Sequence, residues 1–151
     1  LSGATVIALD VSEEKLALAR EVGAHHAIAS DGEAVATIRK LTNGLGANAV
    51  FDFVGAQPTV EIAMAAVALE GDVTIVGIGG GVASAGFFHQ PSDAAVRAPY
   101  WGSRSELIEV LEMARRGQIH VETETFSLDD APKAYEKLHA GTIRGRAVIV
   151  P

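Results

Sequence analysis

The sequence predicts an α/β fold of the doubly wound type, built on a parallel sheet. Three observations carry this. Short, nearly uninterrupted apolar runs alternate with helical stretches of roughly 10–13 residues. The strand runs lack the polar alternation of a half-solvated sheet, as strands buried on both faces require. Glycine or aspartate punctuates the strand ends, where the chain must turn into the next element.

Taken in order, residues 5–9 (TVIAL) form the first strand, ending at Asp10. Ser12 caps a helix whose first turn holds Glu13 and Glu14, where the dipole favours negative charge, and Gly23 closes it. Residues 27–29 make a short second strand. Asp31 then caps a helix with Val35, Ile38 and Leu41 at three-residue spacing, which stops at Asn43-Gly44. Residues 49–54 (AVFDFV) are the next strand, ending at Gly55, followed by an apolar helix over 59–69. Gly71-Asp72 turns into a strand at 73–76 that runs into the glycine cluster of Gly77, Gly79, Gly80 and Gly81. A looser segment precedes a strand around 94–101, and an amphipathic helix over 106–116 ends at Gly117. A strand at 123–126, a helix at 129–139 and a strand at 147–150 complete the order. There is no internal repeat, low-complexity tract or linker.

With 151 residues, 48% hydrophobic and 21% charged, the chain has the length and composition of one folded domain. Its 19 acidic and 12 basic residues give a formal charge of −7, which offers no footprint for nucleic acid or anionic lipid. The absence of Cys excludes disulfides and thiolate metal sites within the chain. No apolar run approaches the roughly 20 residues of a membrane span, and no leader pattern opens the sequence. The reading is a soluble, cytoplasmic chain. It begins Leu1-Ser2-Gly3, without Met and a few residues before a strand, as if entered partway through.

In open α/β sheets ligands gather at the carboxyl ends of strands. Asp10 stands at such an end, where a carboxylate can accept hydrogen bonds from an adenosine ribose and repel a 2′-phosphate; it reads equally as a solvated helix-capping acid. Lys15 lies five residues on, and taken alone is a surface lysine. The Gly-x-Gly-x-x-Gly turn expected some 20 residues before such an acid cannot lie within the nine that precede Asp10. No helix directly follows the cluster at 77–81, so it reads as a close backbone approach to a flat ring or as a plain tight turn. His25 and His26 are adjacent and would point to opposite strand faces; His89, His120 and His139 stand alone. No nucleophile elbow is present. Arg144 and Arg146 flank Gly145, suited to a pyrophosphate or to ordinary surface charge, and Trp101 suits either a core or a pocket wall.

Several segments, in order, carry a resemblance: Asp10 and Lys15 with the EVGA helix end, AVFDFVG at 49–55, VTIVGIGG at 73–80, YWGSRSEL at 100–107 and FSLDDAPKAYEKLHAGTIRGRAVIVP at 126–151. Together they resemble the C-terminal half of a zinc-dependent medium-chain alcohol dehydrogenase. YWGSRSEL is most similar to bacterial secondary-alcohol dehydrogenases of broad substrate range.

The resemblance implies the cofactor-binding part of an enzyme that moves hydride between a secondary alcohol and NAD, with no catalytic residue in this chain. Asp10 would hold the adenosine ribose, assisted by Lys15. Val54 and Gly55 would approach the nicotinamide-side ribose, and Val76, Gly77 and Ile78 would offer backbone groups to the nicotinamide amide. Pro99 and Tyr100 would flank the ring, with Trp101 lining the substrate pocket, and Arg146 would meet the pyrophosphate. The stretch from Ala94 to Tyr100 would be an edge strand pairing across a two-fold axis in a homodimer or homotetramer.

It also implies missing parts. The zinc ligands would lie in an N-terminal domain outside this chain. The Rossmann-type sheet would lack its first strand, its glycine-rich turn and its first helix, so residues 1–151 are a partial dinucleotide-binding domain, with 123–151 returning toward the catalytic domain. In strand order 3-2-1-4-5-6 that first strand is central, and without it two half-sheets face each other with unpaired edges. The chain alone is therefore expected to be inactive and poorly folded. Other readings are a zinc-free quinone or enoyl reductase of the same superfamily, a polyol dehydrogenase, a non-catalytic nucleotide-binding module and a methyltransferase. An acid at Asp10 disfavours the reductases. The closing helix and strand fit a methyltransferase poorly.

Overall fold

The computed structural model describes residues 3–151; Leu1 and Ser2, where the reading of an interrupted start falls, lie outside the described residues. The chain divides into two compact units, one running to Trp101 and the other covering Gly102–Pro151.

The first unit alternates strands and helices: β1 (Ile7–Asp10), α1 (Glu13–Glu21), β2 (His26–Ala29), α2 (Ala34–Leu41), β3 (Ala47–Asp52), α3 (Gln57–Ala66), β4 (Val67–Ile75) and β5 (Ala95–Arg97). Every strand pair is parallel. β1 pairs with β2, and β3-β4-β5 form a second ladder. Among the described residues one edge of β1 and one edge of β3 have no strand partner.

The core of this unit lies where α3 covers one face of β3-β4-β5. Val50, Val73 and Val96 share one register line across the three strands, and with Ile75 they meet Ala63 and Met64 of α3. Val67 and Val73 are fully buried, each contributing about 1.5–3 kcal/mol of apolar transfer. Pleat alternation sends Phe51 and Phe53 to the opposite face, where their stacked rings are 60% and 73% exposed.

Several boundaries differ from expectation for local reasons. The first strand starts at Ile7, and just before it the Val6 N–H donates to His25 Nδ1 at 3.0 Å while the Val6 carbonyl accepts the N–H groups of His25 and His26 at 3.0 and 3.1 Å. That gives His25 a structural role. The helix expected over 59–69 ends at Ala66, and β-branched Val67 turns extended. The Arg39 guanidinium, reaching from α2, donates to the carbonyls of Ala65 and Val67 at 3.0 and 3.3 Å and so satisfies the end of α3. At its other end α3 begins earlier, with Pro58 in its first turn. β5 spans three residues, two short of Pro99, which has no N–H to donate to a ladder.

The second unit holds α4 (Arg104–Arg115), β6 (Thr123–Ser127), α5 (Ala131–His139) and β7 (Arg146–Val150). β6 and β7 pair in parallel from Thr123↔Arg146 to Ser127↔Val150. α4 starts two residues before the expected Glu106 because Ser103 and Glu106 form a reciprocal capping box. Glu124 on β6 accepts Lys137 Nζ from α5 and the Arg144 N–H at 2.7 Å, tying strand, helix and turn together. No helix among the described residues is long and apolar enough to cross a membrane.

Candidate functional site

Because β3, β4 and β5 are parallel, their carboxyl ends lie along one edge of the sheet, and the chain segments leaving them are neighbours. Beyond Asp52 and Ile75 the β3–β4 pairing does not stop. The carbonyl of Asp52 accepts N–H bonds from Val76 at 2.8 Å and Gly77 at 3.0 Å. Gly79 N–H then donates to Val54 at 3.1 Å, and Gly81 N–H to Gly55 at 2.8 Å. The Gln57 carboxamide continues the pattern, accepting Val82 N–H at 2.9 Å and donating to the Val82 carbonyl at 3.4 Å. Two loops are thus stitched into a double turn.

Glycine is what permits the contact. A Cβ at Gly55 would sit 2.2 Å from the Gly77 carbonyl oxygen, and one at Gly77 would sit 2.1 Å from the Val54 carbonyl carbon. Gly55 also has φ +67°, a conformation that disfavours side chains. Gly79 and Gly81 lie similarly close to residues 54–57. The cluster does serve a close backbone approach, and the partner is the neighbouring turn of the same chain.

Beneath this double turn lies a residue that the sequence reading passed over. Asp52 is 6% exposed, the one buried charged side chain among the described residues. Its Oδ1 accepts the N–H groups of Val54 and Gly55, both at 2.9 Å, and its Oδ2 accepts the Thr59 hydroxyl at 2.8 Å. A buried carboxylate is costly unless its oxygens find donors, and here three donors converge on it. The available signal was a lone acid inside the apolar strand AVFDFV, where nothing but a local partner could justify a charge.

The predicted site residues fall into distinct groups. Val54, Gly55, Val76 and Gly77 are brought together in the double turn, with Ile78 fully exposed beside them. Asp10 is the last residue of β1, half-buried, with Oδ1 accepting the Ser12 N–H at 2.9 Å. The carboxylate thus satisfies the N–H of the N-cap residue of α1, Ser12, whose own hydroxyl makes no capping bond. Lys15 is exposed in the first turn of α1. Pro99, Tyr100 and Trp101 follow β5 and are exposed, the two rings edge to face at 5.5 Å. Arg146 belongs to the second unit, where its N–H donates to Glu122 at 2.9 Å at the start of β7.

The structure fits a dinucleotide on two counts: a half-buried carboxylate at a strand tip, and two glycine-containing turns joined at the ends of adjacent parallel strands. It does not fit zinc. Among the described residues no group of three or more His, Cys, Asp or Glu could hold a metal ion.

A parallel α/β chain with glycine turns at its strand ends belongs to the class of Rossmann-like folds. Residues 1–116 match the family model described as zinc-binding dehydrogenase, and the chain belongs to that family. NAD-dependent alcohol dehydrogenases of Sulfurisphaera tokodaii and Sulfolobus acidocaldarius are 32% and 34% identical to it, over 100% and 99% of this chain and 44% of each relative. The alcohol dehydrogenase of the archaeon Aeropyrum pernix superposes with a TM-score of 0.83 at 36% identity, covering 98% of this chain and 43% of that one. A quinone oxidoreductase of Pseudomonas syringae superposes with a TM-score of 0.80 at 28% identity, covering 99% of this chain and 50% of that one. The chain spans less than half the length of the curated relatives it matches.

Proposed function

We propose that this chain is the cofactor-binding part of an NAD-dependent dehydrogenase acting on a small secondary alcohol or ketone. The double turn at the ends of β3 and β4 carries the proposal. It gathers Val54, Gly55, Val76 and Gly77 into one hydrogen-bonded surface at the strand ends, with the Ile78 side chain exposed beside them. In this reading Val54 and Gly55 support the nicotinamide-side ribose. Val76, Gly77 and Ile78 orient the carboxamide, Pro99 and Tyr100 flank the ring, and Trp101 borders the substrate. Asp10 accepts the adenosine ribose hydroxyls with help from Lys15, and Arg146 meets the pyrophosphate. When bound, NAD supplies the hydride acceptor for the carbinol carbon. This chain's part is to hold and aim it. Residues 1–151 then form most of one dinucleotide-binding domain, with 123–151 leading toward a catalytic part.

The assembly follows from the same reading. β5 has a strand partner on one side only among the described residues, and its other edge is proposed to pair with β5 of a second subunit in a homodimer or homotetramer. A cytoplasmic location belongs to this reading too.

A second reading is a quinone reductase, favoured by the likeness to the Pseudomonas syringae structure. Steady-state assay of the full-length polypeptide separates them. The alcohol dehydrogenase reading expects oxidation of secondary alcohols with NAD preferred over NADP. Quinone reduction driven by NADPH, without alcohol oxidation, would replace it.

A further inference from the structure

We infer that Asp52 is the positioning residue of the nicotinamide half-site, acting through the backbone without touching the cofactor. The inference rests on the reading of the double turn as that half-site. Asp52 bonds both turns at once, one through its side chain and the other through its peptide carbonyl. Its carboxylate fixes the N–H groups of Val54 and Gly55 at 2.9 Å, and its carbonyl fixes those of Val76 and Gly77 at 2.8 and 3.0 Å. Through Oδ2 it also holds Thr59, whose hydroxyl lies 3.0 Å from the Ala56 carbonyl, so the first turn of α3 is locked to the same point. Four of the seven residues proposed to face the nicotinamide side are therefore referenced to a single buried side chain and its peptide.

The chemistry sets a specific substitution pattern. In Asp52→Asn the remaining Oδ1 still accepts both N–H groups. The new amide donates to Thr59 Oγ, which turns its own proton to Ala56, so every partner stays satisfied. In Asp52→Ala the Val54 and Gly55 N–H groups lose their acceptor, and the turn they define is released. Thr59→Val removes the Oδ2 donor together with the Ala56 contact and leaves the Oδ1 clamp in place.

The test is equilibrium binding to the full-length polypeptide of NADH, read by its fluorescence, and of AMP, read by competition. AMP reports the adenosine side alone. The expected result is that Asp52→Ala weakens NADH about tenfold, Thr59→Val about threefold, and Asp52→Asn less than twofold, with AMP affinity unchanged in all three. Equal loss of NADH and AMP in Asp52→Ala and Thr59→Val, or no loss of either, would overturn the positioning role while leaving the cofactor reading intact. Failure of the unsubstituted protein to bind NADH would overturn that reading and this inference with it.

Discussion

Gly55 and Gly77 meet backbone to backbone, so closely that a single methyl group on either would fall 2.2 or 2.1 Å from the other's turn. They sit after successive parallel strands, and their contact turns two separate loops into one surface. The proximity also explains why the glycine cluster after β4 lacks a following helix. Its amides are spent on the β3 turn and are not aimed along a helix axis at a phosphate.

That contact predicts a contrast between glycines. Gly77→Ala pushes a methyl into the Val54 peptide, which cannot yield without breaking the stitched bonds, and is expected to cost about 3 kcal/mol. Gly80→Ala meets nothing within 4 Å and bears only the strain of φ +80°, about 1–2 kcal/mol. Urea denaturation of the two variants checks this, and equal losses would show that the double turn is not tightly packed.

The role proposed for Asp10 predicts a change in cofactor choice. Removing the carboxylate in Asp10→Gly takes away both the ribose acceptor and the charge that repels a 2′-phosphate. The ratio of kcat/KM for NAD to that for NADP is expected to fall by about tenfold or more. An unchanged ratio would leave the carboxylate only its observed part, accepting the Ser12 N–H at the head of α1.

Arg39 predicts a stability effect far from any ligand. Its guanidinium donates to four carbonyls, those of Gly44, Leu45, Ala65 and Val67, at 3.0 to 3.3 Å. Arg39→Met keeps the stem and loses the donors, at an expected cost of about 1–3 kcal/mol in unfolding free energy, read by urea denaturation. A cost indistinguishable from zero would mean that water replaces those bonds freely.

The second unit should respond to acid through Glu124. The hydrogen bond from Lys137, followed by the Arg144 N–H, holds its carboxyl below the usual value of 4.5. A pKa lowered by folding gives stability that is fully present above the unfolded value and is lost as pH falls through the folded one. Amide exchange at Arg144 should therefore accelerate as pH drops below about 4.5, once the intrinsic pH dependence is removed. In Glu124→Gln that acceleration should disappear. Its persistence would place the acid-sensitive contact elsewhere.

The alternation of strands and helices was legible because the parallel strands are short apolar runs, although in the structure one face of β3 and all of β7 are exposed. Boundaries were less so where a distant side chain meets them. Arg39 binds the carbonyls at the end of α3, and His25 accepts the Val6 N–H at the start of β1; neither contact is visible in local periodicity. The Ser103 and Glu106 spacing was a capping box in plain view, overlooked in favour of the apolar residues that follow. At the site, Asp10 and the glycine turns stood out by residue type at strand ends. Asp52 did not, because an acid inside a strand acquires meaning only when the donors from Val54, Gly55 and Thr59 are seen to converge on it.

The central claim is that the double turn holds the nicotinamide side of NAD. Hydrogen–deuterium exchange of the full-length polypeptide with and without saturating NADH tests it most directly. The account predicts slowed exchange in peptides covering residues 52–57 and 76–81, together with 10–15, and unchanged exchange over α4. Protection absent from 52–57 and 76–81, with NADH demonstrably bound, would contradict it.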